Sequence, residues 1–357
     1  MLISGTCSIL RRNFCTRRGG MGRAVRGTLD QLSDNTPIEA PTFLAQPRVA
    51  AVVGAPMEFG QPLAGTDKGP TLLRNAGLIK SLAGLGWRVE DSGDIEMHNL
   101  PVGGANPELC GGAALHSKAV GEGCRRLAEI TAKKATEGRL VLTLGGDHSV
   151  SMGSLAGVLK ARPNTGVIWV DAHADLNVPA TSPSGNMHGM PLGLVTRLVD
   201  PTSIAGFEWM TEEYPHLPPN KVAYIGLRDV DDTERRVLKE QKKKGMFVST
   251  MQDIDKQGIG PVVQQAIESL GAIESLHLSF DVDAVDPQWA PATGTVVRGG
   301  LTYREAHYCA EAAAETGKLG SVDIVEVNAE VGSSEQAQQT VDLGLVITLS
   351  AMGSRIL

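Results

Sequence analysis

Three segments of the chain combine aspartate and histidine at spacings that could hold metal ions. They are GGDHS with His148, VDAHADLN with Asp171, His173 and Asp175, and SFDVDAVDP with Asp281 and Asp283. Each follows a short apolar run: LVLTL, GVIWV and LHL. In an extended segment the three ionisable residues of DAHAD share one face, and Asp281 and Asp283 do the same. Unpaired buried carboxylates are costly, and neighbouring like charges resist ionisation. Four carboxylates and two imidazoles in one pocket therefore call for cations, and two divalent ions would neutralise them. Oxygen-rich ligation with some imidazole suits manganese, cobalt or iron(II), whereas a structural zinc site needs thiolates. A lone DxD is ordinarily a turn or cap, and a lone GDH can be a structural histidine. Three ionisable groups in line have no such structural use, and three clusters after separate strands point to a metal site.

Such clusters need a scaffold that brings strand ends together. VAAVVGAP, RLVLTLGG, GVIWVDAHAD, KVAYIGLRD, MFVST, SLHLSFDVD and SVDIVEV read as strands. Helical patterns separate most of them: LLRNAGLIKSLAGLG, LHSKAVGEGCRRLAEITAKKATEG, TERRVLKEQKKKG, PVVQQAIESLG and TYREAHYCAEAAAETG. SSEQAQQTVDLGLVITLSAMG reads as a closing helix. The alternation predicts an α/β fold with a mainly parallel sheet covered on both faces. Ligands in such folds bind beyond the carboxyl ends of the strands. GGDHS, DAHAD, RDVDDTE, DVDAVDP and EVN all fall there.

The 357 residues are 42% hydrophobic and 20% charged, with abundant glycine and 4% aromatics. This composition suits an enzyme with many tight turns better than an aromatic-rich binding module. Residues 1–29 hold six arginines and no acid, the signature of a transit peptide. A mitochondrial location is expected, with cytoplasm or plastid as alternatives; a basic tail, or a start at Met21, would also fit. Residues 30–47 read as a linker, and 48–357 as a single catalytic domain. Without the leader, 27 basic residues face 40 acidic ones, so nucleic acid is not an expected partner. No apolar run is long enough for a membrane span. Cys7 and Cys15 fall in the leader, and Cys110, Cys124 and Cys309 are too scattered for a disulfide framework or zinc site.

GGDHS, VDAHADLN, SGNMHG, GLRDVD, SFDVDAVDP, PATGT and EVN, in this order, resemble the arginase family of ureohydrolases over roughly residues 48–353. The resemblance implies a three-layer α/β/α domain and two Mn2+ per subunit. Asp175 and Asp281 would bridge the ions, His148 and Asp283 would complete one, and Asp171 and His173 the other. It further implies L-arginine hydrolysis to L-ornithine and urea, with Glu326 binding the guanidinium, Asp175 passing a proton to the departing amine and His188 exchanging protons with solvent. A homotrimer is also implied.

Agmatinases share the metal ligands, so selectivity lies at the amino-acid end of the substrate. Asn177, Ser182, Ser184 and Asn186 resemble the arginase loop that meets the α-carboxylate, and Thr295 in PATGT is carried over as a further substrate contact. Asp231 and Glu234 fall where the family binds the α-ammonium, although Asp231 or Asp232 could equally cap the following helix. Three positions depart from the family pattern. Ser182 and Pro183 stand where threonines are usual, DDTE replaces DPGE, and Ala329 follows EVN in place of proline. Another guanidine hydrolase, or a non-catalytic metal-binding relative, are the competing readings.

Overall fold

The computed structural model describes residues 41, 43–97, 99–100 and 113–355. The leader, most of the expected linker and Cys110 lie outside them. The last linker residues are packed chain instead: Leu44 is buried in the core, and Gln46 N donates to Gly138 O at 3.0 Å.

Eight strands form one sheet: β1 (Val49–Ala55), β2 (Arg88–Asp94), β3 (Leu140–Gly145), β4 (Thr165–Val170), β5 (Val222–Leu227), β6 (Phe247–Thr250), β7 (Ser275–Asp281) and β8 (Leu319–Val325). The order is β2-β1-β3-β8-β7-β4-β5-β6, and every pairing is parallel. Strands buried on both faces carry apolar residues of either parity. Ile168 and Val170 point into one core, and Val167 and Trp169 into the other.

The chain covers the two faces in turn. Helices α1 (Gly69–Asn75) and α2 (Leu78–Gly84) pack on the first face. The second is covered by α3 (Ser117–Thr136), α4 (Ser151–Ala161), α5 (Pro191–Val195) and α6 (Asp232–Lys243). The first face is then completed by α7 (Met251–Gln257), α8 (Ile259–Ser269), α9 (Tyr303–Glu315) and α10 (Ser334–Ala351). This is the expected three-layer α/β/α arrangement. Gly153 lets α4 meet α3 closely, since a Cβ there would lie 2.4 Å from Cys124 O. Cys124 and Cys309 are buried free thiols. Among the described residues, no helix is long and apolar enough to cross a membrane.

Two sequence expectations change. The single helix expected from Leu72 to Gly86 is two, broken where Gly77 adopts φ 94°. The edge strand β2, RVEDSGD, was not expected, because its polar, exposed residues carry no core pattern. Its Asp91 and Asp94 are held by Arg74 of α1.

Candidate metal centre

Four adjacent central strands, β3, β8, β7 and β4, end in His148, Glu326, Asp281–Asp283 and Asp171–Asp175 respectively. Parallel strands leave all these ends at one edge of the sheet, so the site follows from topology.

The local geometry differs from an extended DAHAD. β4 stops at Val170, and the chain then turns. Asp171 Oδ1 accepts from His173 N at 2.7 Å, and Asp175 sits in the left-handed region at φ 49°. Asp281 Oδ1 likewise accepts from Asp283 N at 2.7 Å, opening a 3-10 turn rather than continuing the strand. Turns closed by aspartate side chains, not strand alternation, aim these groups. Glu326 is also left-handed, at φ 66°. Each such non-glycine conformation costs about 1–3 kcal/mol and needs surrounding structure to hold it.

His148 Nδ1 lies 3.0 Å from Asp171 Oδ2, 3.0 Å from Asp175 Oδ2 and 3.1 Å from Asp281 Oδ2. His173 Nδ1 lies 3.0 Å from Asp283 Oδ2 and 3.4 Å from Asp171 Oδ1. All six expected ligand side chains therefore lie close together, in an arrangement that differs from the implied grouping. Asp171 is common to two donor groups, His148–Asp171–Asp281 and Asp171–His173–Asp283. Asp175 lies beside His148, and Asp283 lies beside His173. Asp171 can serve both groups because its two oxygens diverge, Oδ2 toward His148 and Oδ1 toward His173.

The residues fit divalent cations. His148 Nδ1 is buried without a hydrogen-bond partner, although three carboxylate oxygens surround it. Donor atoms about 3 Å apart have the spacing of neighbouring ligands around an octahedral ion with bonds of about 2.1 Å. The electrostatics agree. Burial, then Asp283 and Asp171, push Asp281 well above the carboxylate range. Burial and Asp171 push Asp175 up to about 6. Burial works against charged histidines, yet the carboxylates raise both His148 and His173 well above the ordinary value.

A cleft of about 190 Å3 opens above, lined by His173, Asp175, Asn177, Ser182, Ser184 and Asn186 on one chain segment. His188, Asp229, Asp231, Glu234, Asp283 and Thr295 complete its walls. Thr295 donates to Asp283 Oδ2 at 2.8 Å, so it holds a ligand as well as facing the cleft. Ser182 Oγ accepts from Gly185 N and Ser184 Oγ from Asn186 N, which leaves both hydroxyl protons free to donate. Asn177 Nδ2 donates to Asp231 Oδ2 at 2.8 Å. Asp231 Oδ1 caps α6 through Thr233 N and Glu234 N, so Asp231, not Asp232, is the cap and meets the cleft too. Glu234 accepts from Leu176 N at 3.0 Å, and burial pushes its carboxyl up to about 8.

Glu326 is fully buried beside His188, with 3.3 Å between its Oε1 and His188 Nδ1. Oε1 also accepts from His148 N at 2.8 Å, and Oε2 from Gln61 Nε2 at 2.7 Å. Burial opposes ionisation, but His188 and His148 N hold this carboxyl below its usual value. In turn, burial opposes a charged His188, and Glu326 raises it to about 9.

The sequence reading missed Gln61, Asp229 and Trp169. Gln61 comes from the Gly-rich turn after β1, and Asp229 sits in RDVDDTE, where its exposed carboxylate lies 3.9 Å from His173 Nε2. Trp169 reads in sequence only as a strand aromatic.

Fold and site define a hydrolase of the ureohydrolase class. The "Arginase family" model matches residues 48–353. An arginase of Glaciozyma antarctica is 42% identical over 320 residues, 88% of this chain and 90% of that protein. "Arginase-2, mitochondrial" of Rattus norvegicus is 42% identical over 308 residues, 85% of this chain and 84% of its own. A crystal structure of arginase from Bacillus subtilis superposes with a TM-score of 0.76 at 38% identity, covering 87% of this chain and all of that one. The chain belongs to the arginase family.

Proposed function

We propose that the protein hydrolyses L-arginine to L-ornithine and urea with two manganese ions per chain. The observation that carries this reading is Asp171, shared between two histidine-carboxylate groups beneath a polar cleft. His148, Asp171, Asp175 and Asp281 would hold one ion, and Asp171, His173 and Asp283 the other. Bound side by side, two divalent ions supply Lewis acidity and a water activated near neutral pH.

The chain's own residues do the rest. Glu326 has three donors on its two oxygens. A carboxylate offers about four acceptor sites, so one is left for a guanidinium N–H. Its burial strengthens that contact, because little water competes. Asp175 faces both His148 and the cleft, where it can pass a proton to the departing amine. His188 lies between the cleft and Glu326 and would exchange that proton with solvent.

At the other end of the substrate, the free hydroxyl protons of Ser182 and Ser184 suit an α-carboxylate, with Asn177 and Asn186 beside them. Asp231 and the exposed Asp229 suit the α-ammonium. Glu234 is given a supporting role, holding Leu176 and therefore the ligand-bearing turn. This set of neutral donors favours arginine over agmatine, which lacks the carboxylate.

A homotrimer, residues 48–357 as one catalytic domain and a cleaved mitochondrial leader complete the proposal. The leader rests on its acid-free, arginine-rich composition and on the likeness to a relative named mitochondrial. Urea release from arginine and agmatine, measured side by side on protein of known manganese content, tests the activity. Preference for agmatine would overturn the substrate assignment, and loss of urea release with full metal content would favour a non-catalytic relative.

A further inference from the structure

His148 meets the metal centre through Nδ1, and behind it a buried polar chain begins. His148 Nε2 lies 2.9 Å from Ser279 Oγ on β7. Ser279 Oγ lies 3.4 Å from Ser151 Oγ at the start of α4, and Ser151 Oγ donates to Asp323 Oδ2 of β8 at 3.1 Å. Parallel register sets Ser279 beside Asp323 across β7 and β8. All four side chains are at most 1% exposed, so bulk water does not complete their hydrogen bonds.

The donors can be counted from the far end. An ionised carboxylate only accepts. Burial works against ionising Asp323, but His277, 3.4 Å away, and the hydroxyl of Ser154 hold its carboxyl below the ordinary value. Ser151 therefore gives its proton to Asp323, and its oxygen accepts from Ser279. The Ser279 oxygen is then left to accept from His148 Nε2–H. A proton on Nε2 leaves a lone pair on Nδ1, the atom that faces Asp171, Asp175 and Asp281. In the opposite direction, a Ser279 proton given to Nε2 would leave the hydrogen on Nδ1 and block ligation.

We propose that Asp323, acting through Ser151 and Ser279, is a positioning residue that fixes the tautomer of His148 and readies Nδ1 for a cation. The proposal rests on the metal reading above and is independent of the choice between arginine and agmatine.

Titration of the metal-free protein with Mn2+ by calorimetry tests it, with thermal melts of each metal-free form alongside. Ser279→Ala, Ser151→Ala and Asp323→Asn are expected to weaken one of the two binding steps by about tenfold or more. Ser350→Ala, which removes a contact to His307 Nδ1 between α10 and α9 and lies outside this chain of residues, is expected to bind as the parent does. Should Asp323→Asn not fold, Ser151→Ala decides the matter, since it interrupts the same chain and leaves the carboxylate in place. The proposal is overturned if the serine variants give isotherms superimposable on the parent. Equal weakening by Ser350→Ala overturns it too, because that marks general loosening. A parent that takes up no manganese rejects the metal reading itself before any variant is compared.

Discussion

Trp169 lies flat on His148, with ring centroids 4.1 Å apart and planes within 6°. The same indole donates from Nε1 to Asp171 Oδ2 at 3.0 Å. One fully buried aromatic therefore braces two candidate metal ligands from different strand ends, and a strand residue that reads as core supports the candidate metal centre.

Replacing Trp169 by Phe should keep much of the stacking and remove the bond to Asp171. Manganese affinity is expected to fall by about tenfold, within the range for lost support of a metal ligand. KM for arginine, measured at saturating metal, should change little. Undiminished manganese affinity would reject the bracing role.

Gln61 is the donor to Glu326 Oε2, and both side chains are buried. Gln61→Leu leaves that oxygen without a partner and should lower kcat/KM for arginine by about tenfold or more, since a hydrogen bond to a charged group contributes about 1.5–3 kcal/mol. Metal content should stay at the parent level. An unchanged kcat/KM with full metal would show that Glu326 is oriented without it.

Ser182 and Ser184 have hydroxyl protons unspent within their own loop. Ser182→Ala and Ser184→Ala should each raise KM for arginine by about tenfold at nearly constant kcat, because a contact to the α-carboxylate is made equally in ground and transition states. The ratio of arginine to agmatine turnover should fall with it. A falling kcat at constant KM would place these hydroxyls in the chemical step instead.

His188→Ala is expected to lower turnover at saturating arginine while manganese content is retained, since His188 contacts Glu326 and lines the cleft but belongs to neither donor group. Turnover unaffected at saturating substrate would remove the proton-exchange role.

Cation binding should release protons, and affinity should climb with pH. In the cation-free protein His148 and His173 have raised pKa values and Asp175 is near 6, so these groups are protonated below those values. Ligation requires the deprotonated forms, which sets the sign: protons compete with metal in acid and leave as pH rises. Calorimetry in two buffers of different ionisation enthalpy measures the release near pH 6–7. Identical heats in both would contradict it.

Much of this was legible in the chain itself. Apolar runs of LVLTL or GVIWV type, each followed by an acidic cluster, specify buried parallel strands with polar ends, because only such a sheet hides every apolar face while gathering those ends. All six candidate metal-ligand positions follow from that pattern, whereas the cleft residues from Asn177 to Asn186 are marked only by their resemblance to the arginase loop. β2 was not legible, because an edge strand needs no apolar pattern. Gln61 was not either, because a glutamine in a Gly-rich turn carries no periodic signal. Its role exists only once β1 and β8 bring positions 61 and 326 together.

The residue types of the site and the sequence of strands along the chain that carry them were set by sequence, since hydrophobic period and chemical identity are local properties. Which carboxylate meets which histidine was decided by tertiary structure alone. The end of β4 at Val170, the left-handed turn at Asp175 and the side-chain-closed turn at Asp281 redirect groups that an extended strand would have aligned. These turns place Asp171 between the two donor groups and bring Asp283 to His173. Such backbone states cost energy locally and persist because the packed sheet and its hydrogen bonds hold them, a balance that no short stretch of sequence contains.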